Sequence, residues 1–295
     1  MIPSPKSRAR SIVWALTRIE EDGMDPWILA ALIAAGAIAL IFAIYLILIA
    51  PGRKNGIEKY KGVKFAHRGL HGEGRAENSM SAFRAAVEEG YGIELDVRLS
   101  KDGQLVVFHD DTLDRVVGME GRVDAYTAEE LGKMSLSGTA DSVPLFADVL
   151  ELVGGRVPLL VEIKENPGNS AVSRATAEML SSYSGPYVIE SFNPLSLRTV
   201  SKKAPKVARG ILSHRYYAYK QYKKPLYFLL QTLLLNRICS PAFIAYDHRH
   251  ANALSLRIAR KMGAVTFAWT VRSAEEEQEA YKNGFDGVIF ENYRP

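Results

Sequence analysis

The sequence predicts an α/β protein, a (β/α)8 TIM barrel with one N-terminal transmembrane helix. Short β-branched or apolar runs alternate with helical stretches eight times over about 230 residues, which is the arithmetic of that barrel. Polar and charged residues recur at the C-terminal end of almost every run. Near the start, the 24 residues from Trp27 to Ala50 are nearly all apolar.

That apolar stretch comes first in order. From Pro26 to Gly52 there is no charged residue, and a helix of this length reaches about 36 Å, enough to cross a hydrocarbon core of about 30 Å. A cleaved signal peptide fits poorly: the apolar part is too long, Glu20, Glu21, Asp22 and Asp25 precede it, and no small-x-small pattern closes it. We therefore expect a retained anchor: a tail over residues 1–26, the span over 27–50, a linker over 51–61 and the barrel over 62–295. Arg8, Arg10 and Arg18 lie before the span, whereas Arg53, Lys54, Lys59, Lys61, Lys64 and Arg68 follow it. The positive-inside rule then favours a cytoplasmic C-terminal domain on a single-pass protein.

Composition narrows the rest. The excess of 37 Lys+Arg over 33 Asp+Glu is modest and forms no basic stripe with a readable motif, so nucleic acid is not an expected partner. The basic residues gather beside the anchor and in "KKAPKVAR" and "YKQYKK", which suits a bilayer surface. The single Cys239 excludes an intramolecular disulfide and leaves the compartment open. The sequence points to no protein partner.

The strand candidates are 63–67, 92–99, 158–164, 187–192, 207–212, 243–247, 265–271 and 287–292. Between them lie "SMSAFRAAVEEG" with Ser79 as N-cap, "TAEELGKM", "PLFADVLELVGG", "AVSRATAEMLSSY", "LSLRTVSKKA", "ALSLRIARKMG" and "SAEEEQEAYKNG". Several end in or just before a glycine, as helices often do. A doubly wound open sheet is the alternative. It would normally place a glycine-rich phosphate loop after the first strand, where this chain has "HRG".

In a barrel the C-terminal strand ends line the active site. Here they offer His67-Arg68, Glu94 and Asp96, Glu162 and Lys164, Glu190 to Asn193, Asp247-His248, Trp269 and Glu291-Asn292. Glu94 and Asp96, two apart on a strand, share a face. The next stretch reads as a hairpin turning at Asp102-Gly103, the strongest short hairpin signal. With these as a two-residue turn, Lys101 pairs with Gln104 and Asp96 lies opposite His109.

Glu94, Asp96 and Glu162 can then converge beside Lys164, His67 and His109. Three gathered carboxylates raise one another's pKa and are costly to bury, a conflict that a divalent cation resolves. Oxygen ligands favour a hard ion, Ca2+ or Mg2+; direct histidine ligation would bring in Mn2+ or Zn2+. Each motif alone has an ordinary structural explanation. Their placement at one end of consecutive strands is what argues for a site.

"FAHRG", then "EN" at Glu77-Asn78, "IELDV", "DGQLVVFHDDTLDRV", "PLLVEIK", "IESFNP" and "AWTV" resemble, in order and spacing, the glycerophosphodiester phosphodiesterase family over nearly all of residues 63–295. The resemblance implies that Glu94, Asp96 and Glu162 bind the metal, that His67 and His109 are the acid/base pair, and that Arg68 and Lys164 hold the substrate phosphate. It puts Trp269 in the pocket wall and Glu77 near the site. It further implies hydrolysis of glycerophosphodiesters, with lysophospholipids as further candidates, by attack of the glycerol 2-hydroxyl to give a cyclic phosphate that water opens.

Two departures bear on substrate choice: Ala76 stands where the family usually has a proline, and "FENYRP" replaces a threonine-aspartate pair. Other classes compatible with such a barrel are a phospholipase that stops at the cyclic phosphate, a non-catalytic headgroup sensor, and a glycosidase using Glu94 and Glu162. The last has less use for Arg68 and Lys164. One further segment, residues 216–235, combines tyrosines and lysines with the apolar run Leu226 to Leu235. It is too short to span a bilayer and reads either as a helix packed on the barrel or as an interfacial segment.

Overall fold

The computed structural model describes residues 25–72, 74–166 and 168–295, so most of the expected N-terminal tail, with Arg8, Arg10 and Arg18, lies outside the described residues. The chain divides into one unit ending at Ile47 and a second from Leu48 to Pro295. Helix α1 (Pro26–Ile49) is 24 residues long with a mean hydropathy of 2.9, and most of its side chains are exposed. Among the described residues it is the one helix long and apolar enough to be a membrane span or a signal sequence.

The second unit is a closed barrel. Eight strands run parallel: β1 (Lys64–Ala66), β2 (Gly92–Leu99), β4 (Leu159–Ile163), β5 (Tyr187–Ser191), β6 (Arg209–Ser213), β7 (Phe243–Asp247), β8 (Val265–Val271) and β9 (Gly287–Phe290). Pairing of β1 with both β9 and β2 closes the ring. The (β/α)8 expectation holds, and every expected strand is present.

The connecting helices form where their caps and faces allow. Ser79 accepts from Ala82 N at the start of α2 (Met80–Glu88). Thr127 and Glu130 make a reciprocal capping box on α3 (Ala128–Leu131). Gly154, left-handed at φ 53°, ends α4 (Phe146–Val153). After α5 (Ala171–Ser181), Asn193 caps α6 (Pro194–Lys203), whose first residue is proline. Two short helices, α7 (Pro225–Gln231) and α8 (Asn236–Cys239), sit in the β6–β7 connection, followed by α9 (Leu254–Lys261) and α10 (Ala274–Lys282).

The lower barrel interior is apolar. Phe65, Leu160, Val188, Phe243, Phe267 and Ile289 fill it, each such side chain contributing about 1.5–3 kcal/mol through burial. Gly210 makes room for this layer, because a Cβ there would meet the Phe243 ring at 2.1 Å. One register step relates the acids above: Asp96 pairs with Glu162, and Glu162 with Glu190, across β2, β4 and β5.

Strand β3 (Leu105–Val107) is antiparallel to β2 and corrects the expected hairpin register. The pairs are Leu99 with Leu105 and Val97 with Val107, and Phe108 N donates to Asp96 O at 2.9 Å. Phe108, rather than His109, is therefore the residue opposite Asp96. The turn holds three residues, not two. Ser100 N donates to Gln104 O, Gly103 N donates to Ser100 O, and Gly103 takes the left-handed conformation at φ 78° that closes such a loop. Asp102 serves outside the ladder, its carboxylate accepting from Ser100 Oγ and Ala128 N.

Candidate active site

The first strand delivers His67 and Arg68 into a tight turn. Arg68 is left-handed at φ 56°, and Gly69 lies so close to α2 that a Cβ would meet Phe83 and Ala82 at about 3 Å. Asn78, at φ 54°, and Asn292, at φ 67° next to Glu291, are left-handed as well. The Arg68 backbone N–H donates to Glu94 Oε2 at 2.8 Å, its NH1 to Glu77 Oε1 at 2.8 Å, and its Nε lies 3.5 Å from Asp96 Oδ2.

Glu94, Asp96 and Glu162 are all buried, each presenting an oxygen within 4.8 Å of the others. Asn78 Nδ2 donates to Asp96 Oδ2 at 2.8 Å, and Lys164 Nζ lies 2.7 Å from Glu162 Oε1 and 3.2 Å from Asp96 Oδ1. Burial raises the pKa of Glu94 well above the ordinary carboxylate range, reinforced by Asp96 and Glu162, and burial raises Glu162 as well. Burial pushes Asp96 in the same direction, but Lys164, His109 and Arg68 outweigh it and hold this carboxyl far below its usual value. The cluster thus carries more acid than its cations neutralise. Three buried carboxylates converging with only oxygen donors are a donor set able to hold a hard metal ion.

A fourth acid completes this floor. Glu190 is buried, its Oε2 has no hydrogen-bond partner among the described residues, and burial beside Glu162 and Glu94 raises its pKa well above normal.

Both histidines are held in the same way. His67 Nδ1 lies 3.2 Å from Glu291 Oε2, and His109 Nδ1 lies 2.6 Å from Asp110 Oδ1. An ionised carboxylate can only accept, so each Nδ1 carries a proton and Nε2 is the ring nitrogen left for proton transfer. Burial lowers the His67 pKa to about 4 despite Glu291, and the bond from His67 lowers Glu291 to about 2. Arg98 fixes the other histidine by donating from Nε and NH2 to the His109 carbonyl at 3.0 and 2.7 Å. His109 thus reaches the site from beyond the end of β3, not through a ladder pair.

A chain of ion pairs joins the two sides. Arg115 donates to Asp110 at 2.6 Å and to both Glu77 oxygens at 2.7 and 2.8 Å, and Glu77 in turn pairs with Arg68. On the other flank, Arg272 NH2 lies 3.1 Å from Glu291 Oε2, and His71 Nε2 lies 3.8 Å from Glu291 Oε1.

The site opens into a cavity of about 280 Å³. His67, Arg68, Glu94, His109, Glu162, Lys164 and Trp269, all expected from sequence, line it together with Glu190. Asp96 lies within the acidic cluster but is not a lining residue. Glu77 is not among the lining residues and pairs instead with Arg68 and Arg115. Sequence reasoning missed Glu291 and Asp110 as partners of the histidines, Asn78 as the donor to Asp96, and Glu190 as the fourth acid. Asp110 alone had a local signal, since it follows His109 directly.

A parallel barrel with acids, cations and two oriented histidines at the C-terminal strand ends defines a hydrolase of the TIM-barrel class built for an anionic substrate. Residues 67–294 match the model of the glycerophosphoryl diester phosphodiesterase family. Among curated relatives, the glycerophosphodiester phosphodiesterase of Caldanaerobacter subterraneus subsp. tengcongensis is 32% identical over 253 residues, covering 78% of this chain and 93% of its own. A putative glycerophosphodiester phosphodiesterase of Bacillus subtilis is 30% identical over 234 residues, covering 76% and 92%. In fold, the chain resembles an Oleispira antarctica phosphodiesterase solved with its product sn-glycerol-3-phosphate (TM-score 0.65, 23% identity, covering 79% and 94%). The chain belongs to the glycerophosphodiester phosphodiesterase family.

Proposed function

We propose that this protein is a membrane-anchored, divalent-metal-dependent phosphodiesterase that hydrolyses glycerophosphodiesters to an alcohol and glycerol phosphate, and acts also on lysophospholipids, which carry the same diester. The observation that carries the reading is the pairing of two carboxylate-held histidines with three buried, converging acids around one cavity. In this reading α1 is the anchor, residues 1–26 its leading tail, 51–61 a linker and 62–295 the catalytic barrel, on the cytoplasmic side.

Glu94, Asp96 and Glu162 would hold the ion, Ca2+ or Mg2+ by donor hardness, with Mn2+ as the next candidate. Bound there, it would supply a positive charge to the non-bridging phosphate oxygens. Arg68 and Lys164 add fixed cations at the same place, and a phosphodiester gains charge on those oxygens during displacement, so they favour the transition state over the ground state. One histidine Nε2 takes the proton of the glycerol 2-hydroxyl as its oxygen attacks phosphorus. The other, in its protonated form, gives a proton to the leaving alkoxide. Water then opens the cyclic phosphate with the roles reversed, each transfer contributing typically ~10² to 10⁴ in rate. Trp269 closes the wall, and Glu77 holds Arg68 in place.

The experiment is incubation of the full-length chain, in lipid nanodiscs, with glycerophosphocholine and glycerophosphoethanolamine, followed by ³¹P NMR. Free glycerol phosphate is the expected product. Accumulation of the cyclic phosphate alone, or no turnover of either diester, would overturn the reading.

A further inference from the structure

We infer that the β6–β7 connection builds an acyl-chain subsite, so that the preferred substrates are glycerophosphodiesters that keep one fatty acyl chain at sn-1. The inference rests on the phosphodiesterase reading and adds which member of that substrate class the site selects.

A second cavity of about 630 Å³ lies beside the catalytic one, within the range typical of ligand pockets. Its lining is mostly apolar, with Leu195, Tyr216, Leu226, Leu230, Leu235 and Ile238 among the contributors. Phe192 lines both cavities. That ring meets Trp269 edge-on at 5.5 Å, and Lys164 Nζ, one of the cations beside the acids, lies 5.9 Å from its centre. One aromatic ring therefore separates the place for a phosphate from the start of an apolar channel.

The carboxylate and the amide oxygen along this channel are already engaged, Asn193 Oδ1 accepting from Leu195 N. Glu165 accepts from Ser173 N and Ser196 Oγ. His214 lies against the Tyr216 ring at 3.9 Å, and burial lowers its pKa to about 4, so it is neutral at pH 7. A peptide seated here would leave backbone groups without partners, whereas an alkyl chain has none to satisfy. Leu195 and Leu226, at 50% and 53% exposure, leave the outer part of the channel open. The two cavities adjoin at Phe192, so a substrate whose phosphate sits in the catalytic cavity can lay its tail past that ring, which commits the channel to the acyl chain of the reacting molecule. A chain at sn-1 leaves the 2-hydroxyl free to attack; one at sn-2 does not.

The test compares kcat/KM of the full-length chain in nanodiscs for glycerophosphocholine and for monomeric hexanoyl, octanoyl and decanoyl lysophosphatidylcholine. Each methylene seated in an apolar site strengthens binding about fourfold, so kcat/KM should climb about 15-fold per two-methylene step of the series, with 2-acyl isomers inert. Leu195→Asp and Leu226→Asp put a charge on the rim of the channel at exposed positions. Both should abolish the climb through KM while glycerophosphocholine turnover persists. Phe228→Asp, equally exposed on α7 but outside the channel lining, should behave as wild type. A flat chain-length series, or a climb unchanged in both channel variants, overturns the subsite while turnover of glycerophosphocholine leaves the phosphodiesterase reading standing. An effect of Phe228→Asp equal to theirs overturns it in favour of docking of the whole segment on the bilayer. Failure to cleave any diester overturns both.

Discussion

Two long connections rise beside the barrel mouth, and they are built in opposite ways. The one between β2 and β4 has a core of its own, in which Val106, Phe108, Leu113, Leu131, Leu136 and Val143 are almost wholly buried. The ion-pair chain from Asp110 through Arg115 and Glu77 to Arg68 crosses it. The one between β6 and β7 leaves Leu226, Phe228 and Ile238 exposed, and its helix α7 has no fully buried side chain. Ring contacts such as Tyr216 with Tyr227 and Tyr222 with Tyr227 order it, together with the buried Leu233, Asn236 and Cys239. In the proposed mechanism the connection that delivers His109 is locked by packing and charge, and the one proposed to meet the acyl chain keeps an exposed, apolar face. Rigidity would then lie where proton transfer needs it.

The largest break in the comparison should come from His109→Ala, with kcat/KM for glycerophosphocholine falling by ~10² to 10⁴ and KM little changed. Next is Phe108→Ala, which hollows the first connection and should cost about 3–5 kcal/mol by thermal or denaturant unfolding. Glu291→Gln keeps the shape of its side chain but weakens the hold on His67 Nδ1. A loss of about 10- to 100-fold in kcat, by analogy with other groups that orient a reacting ligand, with the fold unchanged, is expected. An unchanged kcat would mean that this pair is structural only.

The second connection has a smaller, pH-dependent signature. His214 titrates at about 4 in the folded chain and near 6.5 when unfolded. A folded-state pKa below the unfolded one means that the unfolded chain takes up the proton first. Stability from this group is therefore complete above about pH 6.5 and is lost as pH falls towards 4. The loss at pH 5 should be on the order of 1–2 kcal/mol. His214→Phe should flatten the fall in Tm between pH 7 and pH 5; an unchanged slope would sink the assignment. Smallest of all, Leu226→Ala should change stability by no more than about 0.5 kcal/mol, in contrast to Phe108→Ala.

Much of this was legible in the sequence because strand periodicity is a local property. The boundaries of β2, β7 and β8 coincide with the expected strands, whereas β1 and β9 are shorter because their polar ends turn into the loops that carry His67 and Glu291. Glu94 and Asp96 were readable as a shared face from their spacing alone. The hairpin register was not, since Asp-Gly fits both a two-residue turn and the three-residue loop that Ser100 and Gly103 form. Glu291 was readable as a strand-end residue but not as the partner of His67, because that bond exists through the closure of β9 against β1. The apolar channel was out of reach for a similar reason. Its walls come from α6, the end of β5 and the β6–β7 connection, and only the folded barrel brings them together.

The central claim is that three buried acids hold a divalent ion beside two carboxylate-held histidines. The most direct measurement is glycerophosphocholine turnover by the full-length chain stripped with EDTA and then titrated with Ca2+ or Mg2+. The account expects activity to vanish and return with the ion, and Glu162→Gln and Asp96→Asn to shift the titration to much higher concentration or abolish recovery. Turnover untouched by EDTA, or recovery in both variants at the wild-type concentration of ion, would contradict it.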